Sequence, residues 1–153
     1  MRRVDQWLAE YGESHRHPLN KRLHWICVPV ILWCVIALLW SIPAGNGRHW
    51  LLNWAALVAA ATLVYYAVLS LPLALGAAPF FVAMLASMPL IERLRIAPVW
   101  RIAAVLFVIA WIGQFIGHRI EAKRPSFFQD VVFLLIGPLW LLADLYRRLG
   151  IRY

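Results

Sequence analysis

Residues 50–91 read WLLNWAALVAAATLVYYAVLSLPLALGAAPFFVAMLASMPLI, and none of these 42 positions carries a charge. A soluble domain spends about a quarter of its residues on Asp, Glu, Lys and Arg. An uncharged run of this length has no place on a water-facing fold. A helix needs about 20 apolar residues, at about 1.5 Å each, to cross the hydrocarbon core of a bilayer. The run therefore holds two crossings. Pro72 marks the break, because proline removes a helix donor and its ring clashes with the preceding turn. The expected helices are 50–70 and 73–91, with Pro79 and Pro89 placed to kink the second.

The flanking sequence extends the same reading. An apolar run over 25–42 ends at Pro43, Gly45 and Gly47. After the charged turn Glu92-Arg-Leu-Arg95, Pro98 suits the first turn of a helix over 98–117. A last apolar run, 127–145, is interrupted at Gly137-Pro138 and reads as a broken helical hairpin that re-enters the membrane. Near the N-terminus, Val4, Trp7, Leu8 and Tyr11 fall at i, i+3, i+4 and i+7, with charged and polar residues opposite. That spacing predicts a short amphipathic helix over 4–11 lying in the membrane interface and stopped by Gly12. The expected fold is all-α. It is an integral membrane helical bundle of about four transmembrane helices, plus the N-terminal interfacial helix and the C-terminal broken hairpin. Residues 1–153 form a single membrane domain: 1–24 hold the interfacial helix and a histidine segment, 25–117 the four spans, and 118–153 a His/Glu segment and the hairpin.

Composition agrees. Hydrophobic residues make up 63% of the 153 and charged residues only 14%, which excludes a soluble domain, a disordered chain and a coiled coil. The net charge is +8, yet no basic run exceeds two residues, so nucleic-acid binding is not expected. The positive charge is a topology signal instead. Lys and Arg stand at 2, 3, 16, 21 and 22, and again at 119, 123 and 124, whereas the turn at 43–49 has only Arg48. Four spans put both basic segments on one side, the cytoplasmic one. Arg93 and Arg95 depart from this bias. Arg2 and Arg3 are followed by polar residues, so no signal peptide is expected there. The compartment is an inner membrane of bacterial type, with an endoplasmic-reticulum-type membrane also fitting. Cys27 and Cys34 stand seven apart on one span, about 10 Å along a helix, which excludes a disulfide between them.

Against this apolar background the polar residues stand out. Four of the five histidines, 15, 17, 24 and 118, lie in the two segments assigned to one face. The first reads His15-x-His17-Pro18-x-Asn20-x3-His24. Asn20 is a good N-cap for the first span, which places His24 in its first turn. The positive end of the helix dipole disfavours protonating His24 and leaves a lone pair for a metal. The second segment puts Gln114, His118 and Glu121 at i, i+4 and i+7 on one helix face. Two or three histidines with a carboxylate and open positions suit non-haem iron(II). Taken singly, an interfacial histidine is more often a headgroup contact, and Glu121 could simply pair with Arg119, Lys123 or Arg124. His49, beside Trp50 in the opposite loop, is assigned no role. HExxH, GxSxG, P-loop and GxGxxG patterns are absent. Five histidines are too few for the repeated boxes of a di-iron membrane desaturase. The nine tryptophans suit interfacial belts and packing.

Both segments resemble one family. It comprises small membrane proteins that include the iron(II)-dependent 2-hydroxy fatty acid dioxygenase of fatty-acid α-oxidation. The family's first pattern is a Tyr, then H-x-N-P-x-N-x3-H entering an apolar span with a V-P. Here Tyr11 precedes His15-Arg-His17-Pro18-Leu-Asn20-Lys-Arg-Leu-His24, and Val28-Pro29 follows. The later pattern is Q-F-x-G-H, an acid, basic residues, P-[AS] and a closing apolar run with a proline. Here Gln114-Phe115-Ile-Gly117-His118 is followed by Glu121, Lys123, Arg124, Pro125, Ser126 and, further on, Pro138. The match covers nearly the whole chain. His17 stands where the family usually has Asn, and is either an extra ligand or a replacement for a supporting group.

The resemblance implies chemistry. Fe(II) and O2 would shorten a 2-hydroxy fatty acid by one carbon at the bilayer. His15, His24 and His118 would be both metal ligands and catalytic residues. Glu121 would be a fourth ligand or an acceptor orienting one of them. Tyr11, His17, Asn20 and Gln114 would contact substrate or support the ligands, and Lys21, Arg119 or Lys123 would neutralise the substrate carboxylate. Three other readings compete. The same ligands suit zinc and a membrane hydrolase, two histidines could hold haem, and a structural membrane protein would need no metal.

Overall fold

The computed structural model describes residues 3–44, 52–122 and 132–153. These residues form six helices in order: α1 (Arg3–Glu13), α2 (Pro18–Ser41), α3 (Trp54–Leu69), α4 (Leu71–Leu94), α5 (Val99–Ile120) and α6 (Phe133–Leu149). Among the described residues there is no strand. Among the described residues three helices, α2, α4 and α5, are long and apolar enough to cross a membrane, at 24, 24 and 22 residues. The fourth expected span, α3, is apolar but only 16 residues long, about 24 Å. On α4 and α5, side chains such as Val82, Leu90, Val105, Val108, Ile109 and Ile112 are more than half exposed. Water would penalise so broad an apolar surface, while lipid does not. The chain is a helical membrane bundle.

α2 is the central element, lying along α5 and also touching α3, α4 and α6. Small buried residues, among them Ala55, Ala59, Ala74, Ala77 and Ala103, allow close backbone approach. The α3–α4 break falls at the extended Ser70, two residues before the expected proline. Pro72 itself sits in the first turn of α4, where its missing N–H costs nothing.

Several expectations need correction. α1 continues through Gly12 to Glu13, because Gly12 lies against α6, where an added Cβ would be 3.4 Å from Trp140 Nε1. The apolar face of α1 is turned to protein: Val4, Leu8 and Tyr11 are buried, and Trp7 meets Phe133 edge-on at 5.4 Å. α2 begins at Pro18, not near 25, and its N-cap is His17, whose Nδ1 accepts from the Leu19 N–H at 3.2 Å. Asn20 is therefore inside the first turn and not the cap. α5 runs on to Ile120, so His118 is helical. The broken hairpin is not seen. Residues 127–131 lie outside the described residues, and from Phe133 to Leu149 α6 is one helix with Pro138 inside it. Pro138 removes one N–H from the ladder. Beside that gap the Tyr66 hydroxyl donates to the Leu135 carbonyl at 2.6 Å, the kind of cross-helix bond that makes proline tolerable within a membrane helix.

Candidate metal centre

The site sits where the α1–α2 connection meets the last turn of α5. His15 follows the end of α1, and its Nδ1–H donates to the Tyr11 carbonyl at 2.6 Å. The Tyr11 ring stacks on the imidazole at 4.2 Å and 11°. His24, on α2, uses the same local device. Its Nδ1–H donates to the Asn20 carbonyl, four residues back, at 2.9 Å. Carbonyls only accept, so both rings carry their proton on Nδ1. Both Nε2 atoms then present lone pairs, and they face each other at 2.8 Å. His118 from α5 completes the group, with its ring centroid 5.0 Å from that of His15 and 4.9 Å from that of His24. Its Nδ1 is buried without a hydrogen-bond partner. One ligand nitrogen from each histidine lies within 4.8 Å of the others.

Two opposed lone pairs at 2.8 Å repel unless a cation lies between them. A proton is disfavoured at His15. Burial first, with the charges of His118 and Lys21 adding to it, pushes its pKa down from 6.5 to about 4 against the opposing pull of the Tyr11 carbonyl and Glu121. A divalent ion answers the geometry better. Imidazole nitrogens about 2.1 Å from a metal and at right angles to one another lie about 3 Å apart. The donor set, three buried neutral imidazoles with an orphaned nitrogen on the third, fits such an ion.

A hydrogen-bonded brace holds the three elements in register. Glu121, at the C-cap of α5, accepts from the Arg16 N–H at 3.0 Å through Oε1, and from the His17 N–H at 2.8 Å through Oε2. Its Oε2 also accepts from Asn20 Nδ2 at 3.1 Å, and the same amide donates to the Ser14 carbonyl at 3.0 Å. Burial alone would raise the Glu121 pKa, but these donors and His15 outweigh it and hold the carboxyl below its usual range. Gly117 makes the approach possible, since a Cβ there would overlap Asn20 Oδ1. From His24, Gln114 and His118 a cavity of about 290 Å³ runs into the bundle past Val28, Ile31 and Phe107.

Comparison with known proteins identifies the relationship. The family model described as Mpo1-like, 2-hydroxy-palmitic acid dioxygenase Mpo1-like, matches residues 1–149. This chain belongs to the Mpo1-like family. A curated relative, the 2-hydroxy-palmitic acid dioxygenase MPO1 of Saccharomyces cerevisiae, is 28% identical over 145 residues, covering 94% of this chain and 79% of the relative. No solved structure matches.

In this Mpo1-like chain the structure gathers His15, His24 and His118 into one group and wraps Tyr11, Asn20 and Gln114 around it. Tyr11 and Gln114 line the cavity. Glu121 stands outside the group and braces the connection that carries His15. His17 caps α2 from an exposed position. Lys21 is exposed and lines a different groove, beside Arg22 and Trp25. Lys123 and Arg124 lie outside the described residues, as do His49 and Trp50. Sequence reasoning missed Trp140, whose ring is 5.3 Å from that of His15. It also missed Gly137, where a Cβ would lie 2.9 Å from the Tyr11 hydroxyl. A glycine before a proline signals a helix break, and that local signal masked its role of making room for Tyr11.

Proposed function

We propose that this chain is an iron(II)-dependent membrane dioxygenase that shortens a 2-hydroxy fatty acid by one carbon, with its metal site on the cytoplasmic side. The observation that carries the reading is the pair of Nε2 lone pairs facing at 2.8 Å beside the orphaned His118 nitrogen, in a chain of the Mpo1-like family. His15, His24 and His118 would hold the ion, and iron(II) would supply the redox chemistry that activates O2 towards the substrate. The protein does the rest. The Tyr11 and Asn20 carbonyls keep two imidazoles neutral and aimed. Glu121 and Asn20 position the connection that carries His15, and Glu121 acts there as a positioning residue. Tyr11 and Trp140, packed against the His15 ring, exclude water from that side. The acyl tail occupies the apolar cavity, and Gln114, one turn before His118, meets the polar head. Lys and Arg at 16, 21, 22 and 119 cluster at this end of the bundle, which supports the cytoplasmic assignment.

Elemental analysis of protein purified anaerobically in mild detergent tests the site, wild type beside His118→Ala. The expected result is about one iron per chain, lost in the folded variant, with oxygen uptake on adding a 2-hydroxy fatty acid to the wild type. Zinc in place of iron would move the assignment to hydrolysis. No metal in either protein would refute it.

A further inference from the structure

A second groove lies on the other side of α2. Pro18, Lys21, Arg22 and Trp25 from α2 face Leu145 and Arg148 from α6 across it. Three cations stand at its mouth. One of them, Arg148, is paired with Asp144 at 2.8 Å, so the mouth keeps an excess of positive charge. Arg148 also lies over the Trp25 ring at 5.3 Å. The Trp25 indole N–H is buried without a hydrogen-bond partner, although a buried indole donor normally finds one. Below the mouth the groove leads into an apolar slot of about 110 Å³. Trp25 and Leu145 line both the groove and the slot, and Pro29, Phe80 and Met84 line its depth. Val28, Leu32 and Pro138 are shared between this slot and the metal cavity. They form the wall that separates the two.

We infer that this groove and slot form a second binding site, for a long-chain carboxylate. The carboxylate head meets Lys21, Arg22 and Arg148, and the indole N–H is a further donor for it. The positive end of the α2 dipole adds to the attraction. The first carbons of the tail enter the slot, and the rest of the chain runs on along the apolar surface of the bundle. A phospholipid fits less well, because a slot of about 110 Å³ leaves no room for two acyl chains. The site also gives a ligand to Lys21, which lines this groove and not the metal cavity. A one-carbon shortening of a fatty acid consumes and releases long-chain carboxylates. On the proposed function, the site is therefore a station where substrate or product waits one wall away from the metal. The binding itself does not depend on that reading.

Binding of radiolabelled palmitate to the full chain tests this, after metal removal by a chelator and reconstitution in neutral phosphatidylcholine nanodiscs. One saturable site is expected. Arg22→Glu with Arg148→Glu should weaken it at least tenfold, and Met84→Trp, which fills the slot, should do the same. Arg22→Lys with Arg148→Lys should retain it, which separates charge from folding. His118→Ala should bind as the wild type does, so loss of catalysis and loss of this site read out separately. The inference falls if no saturable binding occurs. It falls equally if His118→Ala removes binding while the groove variants keep it. Displacement of palmitate by phosphatidylglycerol at equal concentration would assign the groove to a lipid headgroup and overturn the inference.

Discussion

Removing the Glu121 carboxylate separates a ligand from a brace. Glu121→Ala deletes three hydrogen bonds, from the Arg16 and His17 N–H groups and from Asn20 Nδ2. Hydrogen bonds to a charged group contribute about 1.5–3 kcal/mol each when buried. Here the Arg16 and His17 bonds are exposed, so water replaces much of the loss. A total of about 2 kcal/mol is the expected cost in stability. The larger effect is on the metal. His15 lies two residues past the end of α1 and directly precedes the two braced residues, so without the brace its Nε2 loses its fixed approach to that of His24. Loss of a group that orients a ligand typically costs 10–100-fold in metal affinity. Competition against a chromophoric chelator measures this in the purified variants, with thermal unfolding as the control. The expected pattern is a 10–100-fold weaker affinity at unchanged stoichiometry. Asn20→Ala should be non-additive with Glu121→Ala, because the two share a 3.1 Å bond. An affinity within twofold of wild type in Glu121→Ala would refute the brace. Complete loss of metal in the folded Glu121→Gln variant would make Glu121 a ligand and refute it too.

Three further outcomes are expected. Gly117→Ala should destabilise the protein by about 1–3 kcal/mol and weaken metal binding, because its Cβ overlaps Asn20 Oδ1 at the α2–α5 contact; denaturant unfolding checks the first effect and chelator competition the second. His17→Asn should keep stability and metal content, while His17→Ala should cost about 1 kcal/mol, since His17 serves as the α2 N-cap; equal behaviour of the two variants in thermal unfolding would refute the capping role. The metal-free protein should lose stability as pH falls from about 6.5 to about 4. In that window the unfolded chain binds a proton at His15 that the folded state, with its pKa pushed down to about 4, does not. At about 1.4 kcal/mol per pH unit the loss approaches 3 kcal/mol, read by denaturant unfolding at pH 7 and pH 4.5 in wild type and His15→Gln, and a flat profile for wild type would refute it.

Much of this protein was legible in one dimension. The uncharged run over 50–91 dictated a membrane bundle, because no arrangement in water could cover so much apolar surface. The polar residues were conspicuous against that background, so His15, His24 and His118 could be named, and the family resemblance rested on the same positions. What spacing could not supply was the geometry between segments. His15 and His118 are 103 positions apart, and no periodicity relates them. Only the packing of α2 along α5, at the close approach Gly117 permits, sets His118 beside the facing His15 and His24 Nε2 atoms. The placement of the Glu121 carboxylate was decided in the same way. A carboxylate three residues after a histidine can reach a shared metal or turn aside, and the N–H groups of Arg16 and His17 draw it aside. Helix ends also escaped local rules. Gly12 and the Gly137-Pro138 pair read as breakers in sequence, yet both lie inside helices, because contacts with Trp140, Tyr11 and Tyr66 outweigh the intrinsic cost. The sequence alone determined the solvent, the helices and the histidines. Tertiary packing decided which lone pairs meet, because that depends on how separate helices approach one another.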